Sequence, residues 1–316
     1  MTAAQILAIR DLTEDIRLIE IFRDGGFAPP SPGAHLEIGV VVDGRADARC
    51  YSIVERTSEG ALRIAVKRLQ ASRGGSAYMW KLEPGGRVNV SEPRNHFPLT
   101  SGGGEYLLIA GGIGITPIFS HAMALLRAGA AFRVLYAARS RADLALAEEL
   151  RAAVGERLQT FVSGDGQRID FAAVFAALAP EEQAYVCGPI GMLEAAKRAW
   201  AGAGRPMQAL RFETFGASGN WPTRAFEARI PRLGKTVYVP ETKSLLEALE
   251  AAGVETMYDC RKGECGLCAL PILEFDGVVD HRDVFFSAEE KAAGSKLCAC
   301  VSRVYGASVT LDTADR

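Results

Sequence analysis

The chain has 316 residues, 48% of them hydrophobic and 23% charged, with a formal net charge of −2. At about 150 residues per domain, that length predicts two domains or three small ones, and the near-neutral balance excludes a chain-wide electrostatic attraction to nucleic acid or anionic membrane. The first twenty residues mix apolar and charged groups without a signal-peptide core, and the longest weakly polar run, YLLIAGGIGITPIF at 106–119, falls short of the about 20 apolar residues of a membrane span, so a cytoplasmic protein with no membrane partner is expected.

Residues 1–102 read as strands. The runs AQILAIR, IRLIEIF, AHLEIGVVV, RCYSIVE, ALRIAVK and GRVNVSEP are separated by turn residues such as Asp43-Gly44 and Glu59-Gly60. Partial alternation and regular spacing predict a closed antiparallel barrel of six strands. The pattern changes at Gly102-Gly103-Gly104. Over 103–223, strand-like YLLIA, FRVLYAA, LQTFVSG and AYVCG alternate with helix-like IFSHAMALLRAG, LALAEELRAAVG, FAAVFAALA and MLEAAKRAWAGAG, and MQALRFETF closes the series. Such alternation predicts a mostly parallel sheet covered on both faces. GASGNWP, 216–222, reads as a linker. Residues 224–316 begin with a hairpin, FEARI and TVYVPE. A helix, SLLEALEAAG, follows, capped by Thr242 or Ser244 and stopped by Gly253. The expected class is therefore multidomain, β + α/β + α+β.

Five of the seven cysteines fall between 260 and 300. In a reducing compartment such a cluster points to metal more than to disulfides. DCRKGECGLC gives Cys260, Cys265 and Cys268 in C-x4-C-x2-C spacing, the plant-type [2Fe–2S] pattern that one distant cysteine completes. Zinc sites instead favour two close pairs. Gly263 and Gly266 remove side chains where the backbone must wrap the cluster. Two residues compete for the fourth position. Cys298 follows Cys268 after 29 residues and Cys300 after 31. In an extended strand both side chains face one way, so parity does not choose between them. Cys50 and Cys187, far from the cluster, read as buried packing residues.

The segments DCRKGECGLC, DHRDVFFS and CACVSR resemble the ferredoxin domain of the phthalate dioxygenase reductase family, and with the motifs below the resemblance spans nearly the whole chain. It implies a flavin-binding barrel, an NAD(P)H-binding domain and a β-grasp ferredoxin domain in that order. The family's fourth ligand stands one residue before a serine–arginine pair, which selects Cys300. RCYS at 49–52 is similar to the flavin signature of ferredoxin-reductase-like proteins. There Tyr51 packs on the flavin ring, Ser52 contacts it and Arg49 meets phosphate. AVKR (65–68) runs into SRGGS (72–76), whose glycines favour an anion nest. Val66, Lys67, Gly74, Gly75 and Ser76 join the flavin site, and the resemblance implies FMN rather than FAD.

After YLLIA, the turn Gly111-Gly112-Ile113-Gly114-Ile115-Thr116-Pro117 opens a helix whose N-terminus suits a pyrophosphate. The resemblance identifies this turn with the pyridine-nucleotide domain, Thr116 lying near the flavin's reactive edge. Cys187-Gly188-Pro189 helps to shape the nicotinamide pocket in the family. FETF, 212–215, supplies Phe215 to shield the flavin and Glu213 to meet the carboxamide. Arg139, Ser140 and Arg141 would suit either an NADPH 2′-phosphate or a solvated turn, and the family implies NADH. The implied chemistry passes hydride from NADH to FMN and single electrons to the [2Fe–2S] cluster. It needs no acid–base residue, and His35, His96, His121 and His281 have no ligand spacing. The implied function is reductase for a Rieske-type oxygenase of demethylase or ring-hydroxylating type. The alternatives are a reductase for another acceptor, such as a reductive dehalogenase, and a redox-sensing iron–sulfur flavoprotein.

Overall fold

The computed structural model describes residues 1–42, 44–69, 74–100, 104–215 and 221–313. The chain forms two compact units, Met1–Glu213 and Thr214–Arg316. The first unit gathers both the expected barrel and the expected nucleotide-binding module.

The barrel strands are β1 (Thr2–Asp11), β2 (Ile16–Phe22), β3 (His35–Val42), β4 (Arg45–Arg56), β5 (Leu62–Lys67) and β6 (Arg87–Val90). They close in the order β1-β2-β5-β4-β3-β6. Closure runs through β6, which pairs Thr2 with Val90 on β1 and Ile38 with Val90 on β3. The alternating apolar positions point inward, so Ile6, Ile19, Ile21, Leu36, Ile38, Ile53, Leu62 and Ile64 are all but inaccessible. Each such side chain contributes about 1.5–3 kcal/mol over an exposed position. A short helix, α1 (Gly75–Met79), follows β5 and packs against β3. It is too brief for sequence periodicity to reveal.

The second half of this unit is a parallel sheet of β7 (Tyr106–Gly111), β8 (Phe132–Ala138), β9 (Leu158–Val162), β10 (Gln183–Cys187) and β11 (Leu210–Glu213). The spatial order is β11-β10-β7-β8-β9. Four helices connect the strands: α2 (Ile115–Arg127), α3 (Ala147–Val154), α4 (Phe171–Ala176) and α5 (Ile190–Gly202). β7 is buried along its whole length, as expected for a central parallel strand. The direction of winding reverses between β7 and β10, where open α/β sheets bind their ligands.

Helix α2 packs against β4 and joins the two halves. Beside it, His121 lies in an aromatic cluster with Phe97 at 4.9 Å and Tyr185 at 5.1 Å. Its Nε2–H donates to the Phe97 carbonyl at 3.0 Å, and burial pushes its pKa down to about 4 from 6.5. The unfolded chain therefore binds a proton at this ring below pH 6.5 that the folded chain refuses until about pH 4. The stability that a neutral His121 contributes is complete above that window and is lost as pH falls through it, by about 3 kcal/mol in all. Thermal melts across the window should show this slope in the wild type and a flatter one in His121→Gln. Equal slopes would refute the assignment.

The second unit holds β12 (Phe226–Ile230), β13 (Lys235–Val239), α6 (Leu245–Ala251), β14 (Ala269–Asp280), α7 (Ala288–Ala293), β15 (Lys296–Cys298) and β16 (Arg303–Leu311). The sheet runs β13-β12-β16-β14-β15, with β12 and β16 parallel and the other pairs antiparallel. This mixed sheet carrying a helix is the expected β-grasp arrangement. Ser244, one of the two expected caps, closes α6 by accepting the Glu247 N–H, and Glu247 returns the contact to the Ser244 N–H. ALPILEFDGVVD, which the sequence pattern leaves unassigned, forms β14. Register shifts at Ile272/Glu274 and Asp276/Val278 interrupt its alternation, and so hide it from a period-2 reading.

Candidate functional site: a flavin strand, a nucleotide turn and a cysteine loop

Strand β4 presents Arg49, Tyr51 and Ser52 opposite Ile38, Leu36 and His35 of β3. Tyr51 packs against the barrel core, and burial pushes its phenol up, so it stays protonated. The Arg49 Nη1 donates to the Ala48 carbonyl and pairs with Asp47, both at 2.7 Å. Its Nη2 is buried with no hydrogen-bond partner among the described residues. A Cβ at Gly75 would stand 2.6 Å from the Arg49 Nε, and one at Gly74 would stand 2.6 Å from Val42. The glycines thus let the start of α1 close on the guanidinium, leaving the Nη2 N–H bonds for an anion. This fits a flavin phosphate. Ser76 is close by in sequence, and its Oγ accepts the Leu69 N–H at 3.2 Å. Ser72 and Arg73 of the expected nest lie outside the described residues. The Lys67 ammonium pairs with Asp15 at 2.9 Å. The Val66 carbonyl accepts the Trp80 indole N–H at 3.2 Å. Cys50 is exposed rather than buried. It stands between Arg49 and Tyr51, and strand alternation turns it outward.

The nucleotide elements meet at the carboxyl ends of β7 and β10, inside the sheet. Gly111 ends β7, Gly112–Gly114 form a 3-10 turn, and α2 begins at Ile115. A Cβ on Gly114 would be 2.1 Å from the Cys187 carbonyl oxygen. One on Gly111 would be 2.5 Å from the Met192 sulfur and 2.8 Å from the Pro189 ring. The turn after β7 and Cys187-Gly188-Pro189 after β10 are therefore interlocked through glycines, in agreement with the switch-point rule. Gly112 has φ 53°, and its missing Cβ would meet nothing. Thr116 is buried, and its hydroxyl donates to the Ile113 carbonyl at 3.0 Å. Cys187, buried as expected, pairs in register with Glu213 at the end of β11, and Glu213 is fully buried. Phe215 is half-buried at the start of the second unit.

Beyond β8, Ser140 caps a 3-10 turn over Arg141–Asp143. Asp143 accepts its N–H at 3.0 Å and its hydroxyl at 2.8 Å. Arg141 is exposed and pairs with Asp165 at 3.1 Å. Sequence reading passed over Asp143, although an acid after the second strand of such a fold is the usual partner of an adenosine ribose hydroxyl.

In the second unit, Gly263 (φ 74°) and Gly266 (φ 75°) wrap the cysteine loop. A Cβ on Gly263 would strike Val301 at 2.6 Å, and one on Gly266 the Phe285 ring at 2.2 Å. The Cys260 sulfur accepts the N–H groups of Lys262, Glu264 and Cys265, each at 3.4 Å. Cys300 receives the Gly263 N–H. Burial pushes the Cys260 thiol up. Hydrogen bonds from the Cys298 and Cys300 thiols pull Cys268 down to about 3. The sulfurs stand in two bonded groups, Cys260 with Cys265 and Cys268 with Cys298 and Cys300, rather than as one closed ligand set among the described residues. Soft thiolate donors ringed by backbone N–H groups suit an iron–sulfur cluster. The parity argument does not apply to the fourth ligand. Cys298 ends β15, whereas Cys300 lies in the turn that follows.

Residues 229–305 match the family described as 2Fe-2S iron-sulfur cluster binding domain, and residues 108–198 match the oxidoreductase NAD-binding domain. The chain is 38% identical to the heme-dependent oxidative N-demethylase beta subunit of Ectopseudomonas mendocina, over 98% of this chain and 97% of that one. It is 36% identical to the phenoxybenzoate dioxygenase subunit beta of Ectopseudomonas oleovorans, over 98% and 96%. Among solved structures it is similar to phthalate dioxygenase reductase, described as a modular structure for electron transfer from pyridine nucleotides to [2Fe–2S], with 31% identity, a TM-score of 0.77 and coverage of 98% and 97%. It is also similar to an intact type IV self-sufficient cytochrome P450 monooxygenase, with 31% identity and a TM-score of 0.68. There it spans 41% of the longer chain.

Proposed function

We propose, from the premise that this chain belongs to the family of oxygenase reductases that includes phthalate dioxygenase reductase, that it is the NADH-dependent reductase of a Rieske-type oxygenase. The chain is an oxidoreductase that carries electrons from a pyridine nucleotide to a [2Fe–2S] cluster. NADH, FMN and the [2Fe–2S] cluster supply, when bound, hydride transfer followed by one-electron transfer. The protein's part is placement. Arg49, Gly74, Gly75 and Ser76 hold the flavin phosphate, and Tyr51 and Ser52 border the ring. Gly111, Gly112, Gly114 and Thr116 receive the dinucleotide at the switch point, with Cys187, Gly188, Pro189 and Glu213 beside the nicotinamide. Phe215 shields the flavin. Cys260, Cys265, Cys268 and Cys300 hold the cluster. Asp143 favours NADH, since its carboxylate would repel a 2′-phosphate and accept a ribose hydroxyl. We place the module boundaries at 102/103 and 223/224, and the chain in the cytoplasm, where its thiols stay reduced.

The observation that carries the reading is the interlock of the Gly111–Gly114 turn with Cys187-Gly188-Pro189 on the sheet whose helix α2 packs against the Arg49–Ser52 strand. Heat release of the flavin and chromatography test it. One FMN per chain is expected, and recovery of FAD alone would overturn the FMN assignment. A second acceptor is favoured by the relative from Ectopseudomonas mendocina, whose name gives a heme-dependent enzyme. The oxygenase that accepts electrons from this chain separates the two. A Rieske-type absorption spectrum supports the proposal, and a heme Soret band in its place refutes the Rieske assignment.

A further inference from the structure

The motif DHRDVFFS at 280–287 has no part in the electron path as described above. Its second acid, Asp283, is fully buried, as is Ser302. The Asp283 carboxylate is bonded from three sides. Its Oδ2 accepts the Phe286 N–H at 3.0 Å, and His281 Nδ1 lies 3.4 Å from its Oδ1. The Ser302 Oγ accepts the Arg282 N–H at 3.3 Å and donates its own hydrogen to Asp283 Oδ1 at 3.1 Å. Such donors favour the ionised carboxylate. Of the cations beside it, Arg282 donates from Nε to Asp280 at 2.7 Å, and the Lys291 ammonium donates to the Asp283 backbone carbonyl at 2.6 Å.

Both cysteine-bearing segments close on this residue. A Cβ on Gly263, which stands between Cys260 and Cys265, would be 2.9 Å from the Asp283 Cα and 3.1 Å from its Cβ. The Val284 N–H donates to the Gly263 carbonyl at 3.0 Å, and the Ser302 N–H donates to the Cys298 carbonyl at 2.9 Å. Asp283 is thus wedged between the cysteine loop and the turn that follows β15.

We propose that Asp283 is a fixed buried negative charge that holds the cluster's reduction potential down, so that the reduced cluster gives up its electron more readily. The inference rests on the reading that the cysteine loop holds the cluster, and it stands with either Cys298 or Cys300 as the fourth ligand. Reduction adds negative charge to the cluster, and an anion beside it opposes that addition. Burial keeps away the water and salt that would screen the charge.

The test is a dye-mediated redox titration of the full-length holoprotein, with the spectrum of the reduced cluster recorded beside it. Asp283→Asn and Asp283→Ser both remove the charge, and each keeps an oxygen that can accept a hydrogen bond. At fixed potential, the ratio of reduced to oxidised cluster should rise about three- to tenfold, tenfold being about 59 mV for a one-electron couple. Ser302→Ala removes one donor but leaves the charge, and its ratio should stay close to the wild-type value. An unchanged ratio in the Asp283 variants, with clusters intact, would overturn the proposal. A rise in Ser302→Ala as large as in Asp283→Asn would also overturn it, by assigning the effect to the bonding of the turn rather than to charge. Loss of the cluster in both Asp283 variants would give the residue a structural role in place of this one. A wild-type holoprotein without a reducible cluster would refute the cluster reading itself, and this proposal with it.

Discussion

Cys300→Ser should abolish or sharply weaken the visible absorption of the cluster and electron delivery to a one-electron acceptor, while Cys298→Ser leaves both largely intact. Cys300 lies in the turn after β15, receives the Gly263 N–H from the cysteine loop and is close enough to Cys260 to feel its charge. Cys298 and Cys300 both bond to Cys268, and Cys298 also faces Asp283. The loop is shaped around Cys300, since a Cβ on Gly263 would stand 2.6 Å from the adjacent Val301. Loss of an outer partner alone weakens metal retention about 10- to 100-fold, so loss of a ligand should exceed the upper figure. Absorption spectra and iron content of the two purified variants decide the matter, and the opposite pattern would reverse the assignment.

A chain ended at Thr223 should still bind flavin, be reduced by NADH and reduce ferricyanide, yet fail to pass electrons to the oxygenase. Everything expected to hold flavin and nucleotide, apart from Phe215, lies in the unit Met1–Glu213. The second unit has a core of its own, with Phe226, Ile230, Leu245, Leu249, Val309 and Leu311 almost fully buried. Arg303 secures it internally by donating to the carbonyls of Lys243, Arg224 and Pro240. Removing that unit therefore takes away the cluster without opening the barrel. Failure of the shortened chain to bind flavin would show the boundary to be misplaced.

How much was legible in the sequence depended on how far each feature is fixed by local pattern. The six barrel strands and the alternating strands and helices could be read because their buried faces repeat at period 2 or 3.6. β14 was hidden by two register shifts and by its many exposed positions. The strand-parity comparison of Cys298 with Cys300 did not apply, because the chain turns at Ala299 and Cys300. Cys50 was wrongly placed inside because cysteine's usual burial was weighed above its position between Arg49 and Tyr51. The pairing of Lys67 with Asp15 joins residues 52 positions apart, Asp15 lying in the turn before β2, and no local pattern reveals it. Asp143, an acid shortly after the second parallel strand, was given no role from sequence, and its proposed one rests on that position. The linker residues 216–220 lie outside the described residues.

The most direct test is an anaerobic titration of the intact holoprotein with NADH, following flavin and cluster absorption together with the electron paramagnetic resonance of the reduced cluster. Both chromophores should bleach as NADH is added, and the reduced-cluster signal should grow. Bleaching of the flavin while a cluster that dithionite can reduce stays oxidised would contradict an electron path from nicotinamide through flavin to the cysteine loop.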